Sequence, residues 1–303
     1  MWTAVALALL HGAILGLCAV WAVGRIAAGA AVWPFAAALP LVVLALPLLF
    51  TAVSLSLSHA WGVERPPWTR LGPRARVRLF VDEFLTIAGN AVRMIGYRWL
   101  MRDPPARRAQ LPILLVHGVL CNAGVWHPFA RRLRERDAGP VYAISYGPPL
   151  ASIDLFAQQL SRRIDAILAA TQAPRVMIVA QSMGGLVVRA CLRDGSGAKI
   201  ARVVTIGSPH HGSRFAWLAP GECMAQMRPG NAWLAALGAP PADAPPIVSL
   251  WSWHDSMVAP QTSSRIAFGA NVEVSGVAHN ALLRDPGVFE RVLAEIAIAR
   301  GEN

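Results

Sequence analysis

Residues 180–185 read Ala180-Gln181-Ser182-Met183-Gly184-Gly185, between the apolar run Val176-Met177-Ile178-Val179 and the helix-like stretch Leu186-Val187-Val188-Arg189-Ala190. A strand that turns sharply into a helix with a serine at its tip leaves few folds open. The turn forces strained backbone on the serine, and only small residues two positions before and after it let strand and helix approach closely. Ala180 and Gly184 hold those positions. A serine so placed is a candidate nucleophile, although a lone Ser-x-Gly is also compatible with an ordinary helix N-cap. Its place in the chain decides between the two.

Upstream, Pro112-Ile113-Leu114-Leu115-Val116 has the continuous apolar character of a buried strand and ends in His117-Gly118-Val119. Acyl transfer requires preorganised N–H groups around a tetrahedral oxyanion, one from the residue after the nucleophile and one from the loop after an earlier strand. Met183 and Val119 are expected to supply them, and the positive end of the helix opened by Ser182 faces the same charge. His117, Gly118 and Gln181 flank these groups and are expected to contact substrate. Downstream, apolar runs at 201–206, 247–251 and 266–274 read as further strands. Asp255 follows the second and His279 the third, so the order is nucleophile, acid, base, with the last two on loops at strand ends.

These motifs, with Thr205-Ile206-Gly207-Ser208-Pro209-His210-His211-Gly212-Ser213, resemble the α/β-hydrolases of the lipase and esterase superfamily, close to small bacterial triacylglycerol lipases, over residues 111–300. The resemblance implies an α/β-hydrolase fold, a mostly parallel sheet covered by helices on both faces. It also implies cleavage of carboxylic esters, on lipid or acyl-chain substrates, through a Ser182-His279-Asp255 triad and an acyl-enzyme. An acyltransferase using the same triad, or a membrane scaffold that keeps the fold without turnover, are the other readings. Residues 214–245, with Trp217, Trp233, Pro240-Pro241 and Pro245-Pro246, interrupt the strand–helix alternation. They are either an insertion over the acyl pocket or a plain surface connection. His210 and His211, near Glu222 and Asp243, invite a metal, but neighbouring residues on an extended loop point oppositely and no third ligand has metal spacing. No metal or cofactor is expected.

The front of the chain is different. The sequence is 55% hydrophobic and only 15% charged, too apolar for a wholly aqueous surface, and the excess lies before residue 64. Residues 2–24 and 26–63 carry no Asp, Glu, Lys or Arg, and each stretch is long enough to cross about 30 Å of hydrocarbon. Trp2 and Trp21 bracket the first, Trp33 and Trp61 the second, as interfacial anchors do. Pro34, Pro40 and Pro47 suggest a kink in the second. A cleaved signal peptide ending at Ala28-Gly29-Ala30 is disfavoured by the length of the apolar stretch and by the lack of a basic residue before it.

Arg65, Arg70, Arg74, Arg76 and Arg78 follow the second stretch, whereas the link between the two offers only Arg25. By the positive-inside rule this implies a hairpin in the cell inner membrane, multi-pass, with the hydrolase part in the cytoplasm. Residues 1–109 hold 11 basic and 4 acidic side chains against 17 and 13 in the rest. The basic excess is thus juxtamembrane, suited to anionic headgroups, and no nucleic-acid motif accompanies it. Cys18 lies in a span, and Cys121, Cys191 and Cys223 are an odd number for a disulfide framework. They read as small buried hydrophobes.

The expected organisation is two transmembrane helices in 1–63, a basic amphipathic connector in 64–109 and the α/β-hydrolase domain in 110–303. The oligomeric state is left open. In the connector, Val77, Phe80, Val81, Phe84, Ala88, Val92, Ile95 and Trp99 recur every three to four residues, which predicts one amphipathic helix. Its apolar stripe either lies in the headgroup layer or packs on the hydrolase domain.

Overall fold

The computed structural model describes residues 2–302. The apolar runs form six strands, β1 (Ile113–Val116), β2 (Val141–Ala143), β3 (Val176–Gln181), β4 (Ile200–Ile206), β5 (Ile247–Ser252) and β6 (Ala270–Val274). They make one parallel sheet in the order β2-β1-β3-β4-β5-β6. Strands that are apolar at every position must bury both faces, and alternate residues of β1 and β3 do so against different layers. Leu114, Val116, Ile178 and Ala180 pack with α6 (Ile153–Thr171) and α7 (Gly184–Cys191) through Phe156, Leu160, Ile164 and Leu186. Ile113, Leu115, Met177 and Val179 pack with α5 (His127–Glu135) and α10 (Pro286–Arg300) through Phe129, Leu133, Phe289 and Val292.

The chain leaves β1 toward one edge to make β2, then returns to place β3 on the other side of β1. This reversal is the switch point at which a parallel sheet opens a crevice beyond the carboxyl ends of its strands. Those ends carry His117–Leu120 and Ser182. The last strand is shorter than the 266–274 run. Gly269 crosses so close to β5 that a Cβ there would fall 2.3 Å from the Ile247 carbonyl oxygen, and the Asn271 side chain bonds both backbone groups of Ile266. Residues 266–269 are therefore a tied loop.

Four helices precede the sheet, α1 (Trp2–Ala27), α2 (Trp33–Trp61), α3 (Pro73–Ile95) and α4 (Tyr97–Leu100). Among the described residues one helix, Leu41–Trp61, is long and apolar enough to cross a membrane, and Gly12–Ala27 is a shorter apolar stretch. The pair of spanning helices is thus supported by one member. The side chains of residues 1–11 lie outside the described residues, as does the expected Trp2 anchor. Helix α2 runs unbroken, with Pro34 in its first turn, where a missing N–H is harmless. Its last turns do not stand free: Thr51, Ser54 and Ser58 are buried, and the Ser58 hydroxyl bonds the Asp255 carbonyl and the Gln261 amide.

The connector helix α3 is inserted the opposite way from a core helix. Its buried residues are Glu83, Thr86, Asn90 and Met94, a line at spacings of three and four along one face. Most of the apolar stripe turns outward, and Val77, Val81, Leu85, Val92 and Ile95, with Trp99 of α4, are exposed. Of the two expected placements of the stripe, packing on the hydrolase part is not met: the line from Glu83 to Met94 packs there, and most of the stripe is left facing outward.

Candidate active site

Ser182 follows the last residue of β3 with φ of +56°, left-handed backbone that a non-glycine residue adopts only under constraint. Its N–H donates to the Ile206 carbonyl at 2.9 Å, which ties the turn to β4. A Cβ on Gly184 would sit 2.6 Å from the Val116 carbonyl oxygen and 2.7 Å from that of His117, so only glycine lets α7 start against the end of β1. On the other side of the crevice a Cβ on Gly118 would meet Ser182 Cβ at 2.7 Å and Oγ at 3.2 Å. Motifs 64 residues apart in sequence therefore touch at the nucleophile turn. Neither the Val119 nor the Met183 N–H donates to another backbone group among the described residues.

His279 and Asp255 sit on the loops after β6 and β5, both buried. His279 Nδ1 lies 2.9 and 2.8 Å from the two Asp255 carboxylate oxygens. Asp255 Oδ1 also accepts the N–H groups of Met257 and Val258 at 2.8 and 2.7 Å, so the carboxylate is satisfied from its own loop. Burial lowers the His279 pKa, but the Asp255 charge and hydrogen bond, joined by the charge of Glu83, outweigh it and leave the imidazole above its ordinary value. With the proton on Nδ1 facing Asp255, Nε2 carries the lone pair that can accept a proton. That nitrogen is 2.9 Å from the side-chain amide nitrogen of Gln181. Among the described residues Ser182 Oγ has no hydrogen bond to His279. Asp255 and His279 are paired, while His279 and Ser182 are separated by the side chain of Gln181.

Ser182, His279, Gly118, Val119 and Gln181 line a cavity of 460 Å³. Its other walls are mainly apolar and include Phe50, Val53 and Leu57 of α2, Ile87 and Met94 of α3, and Phe215, Leu218, Met224 and Met227 of the 214–245 segment. That segment folds into α8 (Glu222–Gln226) and α9 (Ala232–Leu237) after a turn at Arg214–Trp217, and its first part, as far as Met227, lines the cavity. Sequence periodicity misses the α2 and α3 contributions, because it says that a helix has an apolar side but not what lies over it.

His117, expected to contact substrate, does not line the cavity. Its ring stacks on Tyr146 at 4.0 Å between centroids, and Nδ1 lies 2.7 Å from the Gly118 carbonyl oxygen. Burial pushes its pKa down to about 4. The residue supports the loop from behind, its ring resting on Tyr146, which in turn packs on Phe156. His210 is buried with Nε2 3.0 Å from Thr205 Oγ1, while His211 is exposed. Cys191 and Cys223 are buried and their thiols are pushed up to about 11 by that burial.

A profile of the Alpha/beta hydrolase family matches residues 113–297. Among solved structures, the chain is similar to Bacillus licheniformis lipase BlEst2 in its mature form, at 16% identity over 64% of this chain and 94% of that one, with a TM-score of 0.55. It is also similar to Aspergillus fumigatus lipase B, at 17% identity over 67% of this chain and 57% of that one, with a TM-score of 0.58. At such identities the likeness is one of fold. Because the family match begins at the first residue of β1 and runs into α10, taking in every strand of the sheet, this chain belongs to the alpha/beta hydrolase family.

Proposed function

We propose that the protein is a membrane-anchored serine hydrolase that cleaves carboxylic esters of long acyl chains. Ser182 Oγ attacks the ester carbonyl carbon while His279 Nε2 takes its proton, and the oxyanion is held by the Val119 and Met183 N–H groups. As the tetrahedral intermediate collapses, the bond to the alcohol oxygen breaks and His279 gives that oxygen its proton. Water then attacks the acyl-enzyme in the same way, releasing the acid and restoring the serine. Asp255 holds the imidazole tautomer and stabilises the imidazolium. For the first step the Gln181 amide has to swing away from His279 Nε2, a side-chain rotation of the kind that substrate binding brings about in unliganded sites.

The observation that carries this reading is the apolar cavity holding Ser182 and His279 with α2 as one wall. Helix α2 has 29 residues, about 43 Å at helical rise. Its exposed leucines at 41, 44, 46, 48 and 49 lead straight to Phe50 and Val53 at the cavity. An acyl chain following that surface from a bilayer stays in apolar surroundings as far as the serine. The outward apolar face of α3 and the arginines between Arg65 and Arg78 suit the headgroup layer beside it. In this reading α2, with α1 as the returning arm of a hairpin, anchors the chain in the inner membrane and the α/β part faces the cytoplasm.

The test is labelling of detergent-solubilised full-length protein with a fluorophosphonate, followed by nitrophenyl esters from acetate to palmitate. Labelling at Ser182, its loss in Ser182→Ala, and rates that grow with chain length are expected. Ser182→Ala should lose about 10³-fold or more in kcat. A folded wild-type protein that takes no label and turns over no ester would move the reading to a scaffold.

A further inference from the structure

Glu83 is fully buried, on the face of α3 that meets the α/β part, and among the described residues no Lys, Arg or His pairs with its carboxylate. A buried carboxylate without a cation costs several kcal/mol unless its oxygens are filled with hydrogen bonds. Here they are filled, and every donor comes from the two loops that carry the acid and base. Glu83 accepts from the Ser256 hydroxyl at 2.7 Å, the Asn280 N–H at 3.0 Å, the Asn280 side-chain amide at 2.8 Å and the Ala281 N–H at 2.9 Å. Ser256 adjoins Asp255, Asn280 adjoins His279, and the His279 N–H reaches the same Ser256 hydroxyl at 3.4 Å. Helix α2 ties the Asp255 loop from another side, because the Ser58 hydroxyl donates to the Asp255 carbonyl and accepts from the Gln261 amide at 2.8 Å. A leucine at position 83 would hold a helix on a protein surface at less cost. What it could not do is gather a hydroxyl from one loop and backbone N–H groups from the other onto one anion.

We propose that Glu83 is a positioning residue for the acid–base pair, clamping the loops after β5 and β6 together so that Asp255 and His279 keep their register, and that the N-terminal helices are therefore part of the catalytic unit. The proposal rests on the reading of Ser182, His279 and Asp255 as the reacting groups. The clamp has an electrostatic side as well. Asp255 and Glu83 are the charged groups acting on the His279 imidazole, against the opposing effect of burial. Glu83 thereby favours the imidazolium formed when His279 takes the serine proton. Removing its charge lowers the His279 pKa and moves the acid limb of the rate profile to lower pH.

The experiment uses full-length protein in detergent micelles and a short soluble nitrophenyl ester, with kcat, KM and the pH profile of kcat/KM measured for Glu83→Gln, Glu83→Asp and Thr86→Val. Thermal unfolding establishes that each variant is folded. In Glu83→Gln an amide NH₂ replaces one acceptor oxygen and faces N–H donors. The expected result is a kcat loss of about 10- to 100-fold, the scale of a misplacement near 1 Å, with KM little changed and the acid limb shifted to lower pH. Glu83→Asp keeps the charge and should recover part of kcat and most of the profile. Thr86→Val, one turn further along the same buried face, should leave the profile in place. A folded Glu83→Gln with wild-type kcat overturns the proposal, and so does a loss of kcat with an unmoved acid limb, which would mean a purely structural contact. If wild-type protein is labelled at Ser182 and only the Glu83 result fails, the clamp alone is wrong. If Ser182→Ala or His279→Gln keeps full activity, the triad reading falls and takes the clamp with it.

Discussion

Gly118→Ala is a sharp test of the active-site geometry, because the substitution adds one methyl group at a position whose φ alanine can adopt. The new Cβ would lie 2.7 Å from Ser182 Cβ and 3.0 Å from the Gln181 side-chain oxygen Oε1. An ordinary carbon contact is about 3.5 Å or more, so loop and serine must separate by roughly 0.8 Å. Neither side has room to give freely. The Ser182 N–H is bonded to β4, and the loop is backed by His117 stacked on Tyr146. The Val119 N–H, the next donor along the loop, moves with the strain and leaves the narrow distance range in which it can hold an oxyanion. Overpacking of this kind costs about 1–3 kcal/mol of stability, while loss of one oxyanion donor costs about 10²- to 10³-fold in kcat. We expect a folded protein with a modestly lowered Tm, a kcat on a short nitrophenyl ester reduced about 100-fold, and KM changed far less. Wild-type kcat in folded Gly118→Ala would falsify the placement of this loop beside the nucleophile.

Other outcomes follow from the same structure. His117 is buried with its pKa lowered from 6.5 to about 4, so it opposes folding of the protonated form. Its contribution is intact above pH 6.5 and is lost as pH falls through about 4, amounting to about 2 kcal/mol by pH 5. Urea midpoints should fall over that range, and His117→Phe, which can keep the ring stacked on Tyr146, should flatten the slope; an unchanged slope refutes the assignment. On the outward face, Val92 and Trp99 are each 71% exposed and lie away from the cavity. Replacing both with glutamine should weaken binding of the protein to anionic vesicles and leave short-ester turnover alone. Equal vesicle binding would exclude this face from the membrane contact.

Much of the architecture is legible in the sequence because it rests on local physics. Unbroken apolar runs of four to seven residues have to be strands buried on both faces, and the small residues around Ser182 have no better explanation than a tight strand-to-helix turn. The chain order of Ser182, Asp255 and His279 then follows from loops at the carboxyl ends of successive parallel strands. Where the reading departs from the structure, a partner distant in sequence is the usual cause. The 266–274 run has strand composition, but Gly269 passes against β5 and Asn271 caps the loop, so only its second half pairs.

The sequence by itself determines the alternation of strand and helix, the tight strand-to-helix turn at Ser182 and the presence of an amphipathic helix after the apolar front. It does so because periodicity, turn chemistry and strand burial are properties of neighbouring residues. Only the tertiary structure decides that α3 buries Glu83, Thr86 and Asn90 and turns its valines outward. Periodicity fixes how the two faces of a helix differ, not which of them meets the protein. Glu83 meets the Ser256 hydroxyl of the Asp255 loop and the Asn280 and Ala281 N–H groups of the His279 loop, donors that come together only once β5 and β6 are side by side. The same holds for the cavity, whose walls at Phe50, Ile87, Leu218 and Ser182 come from segments that no local rule connects.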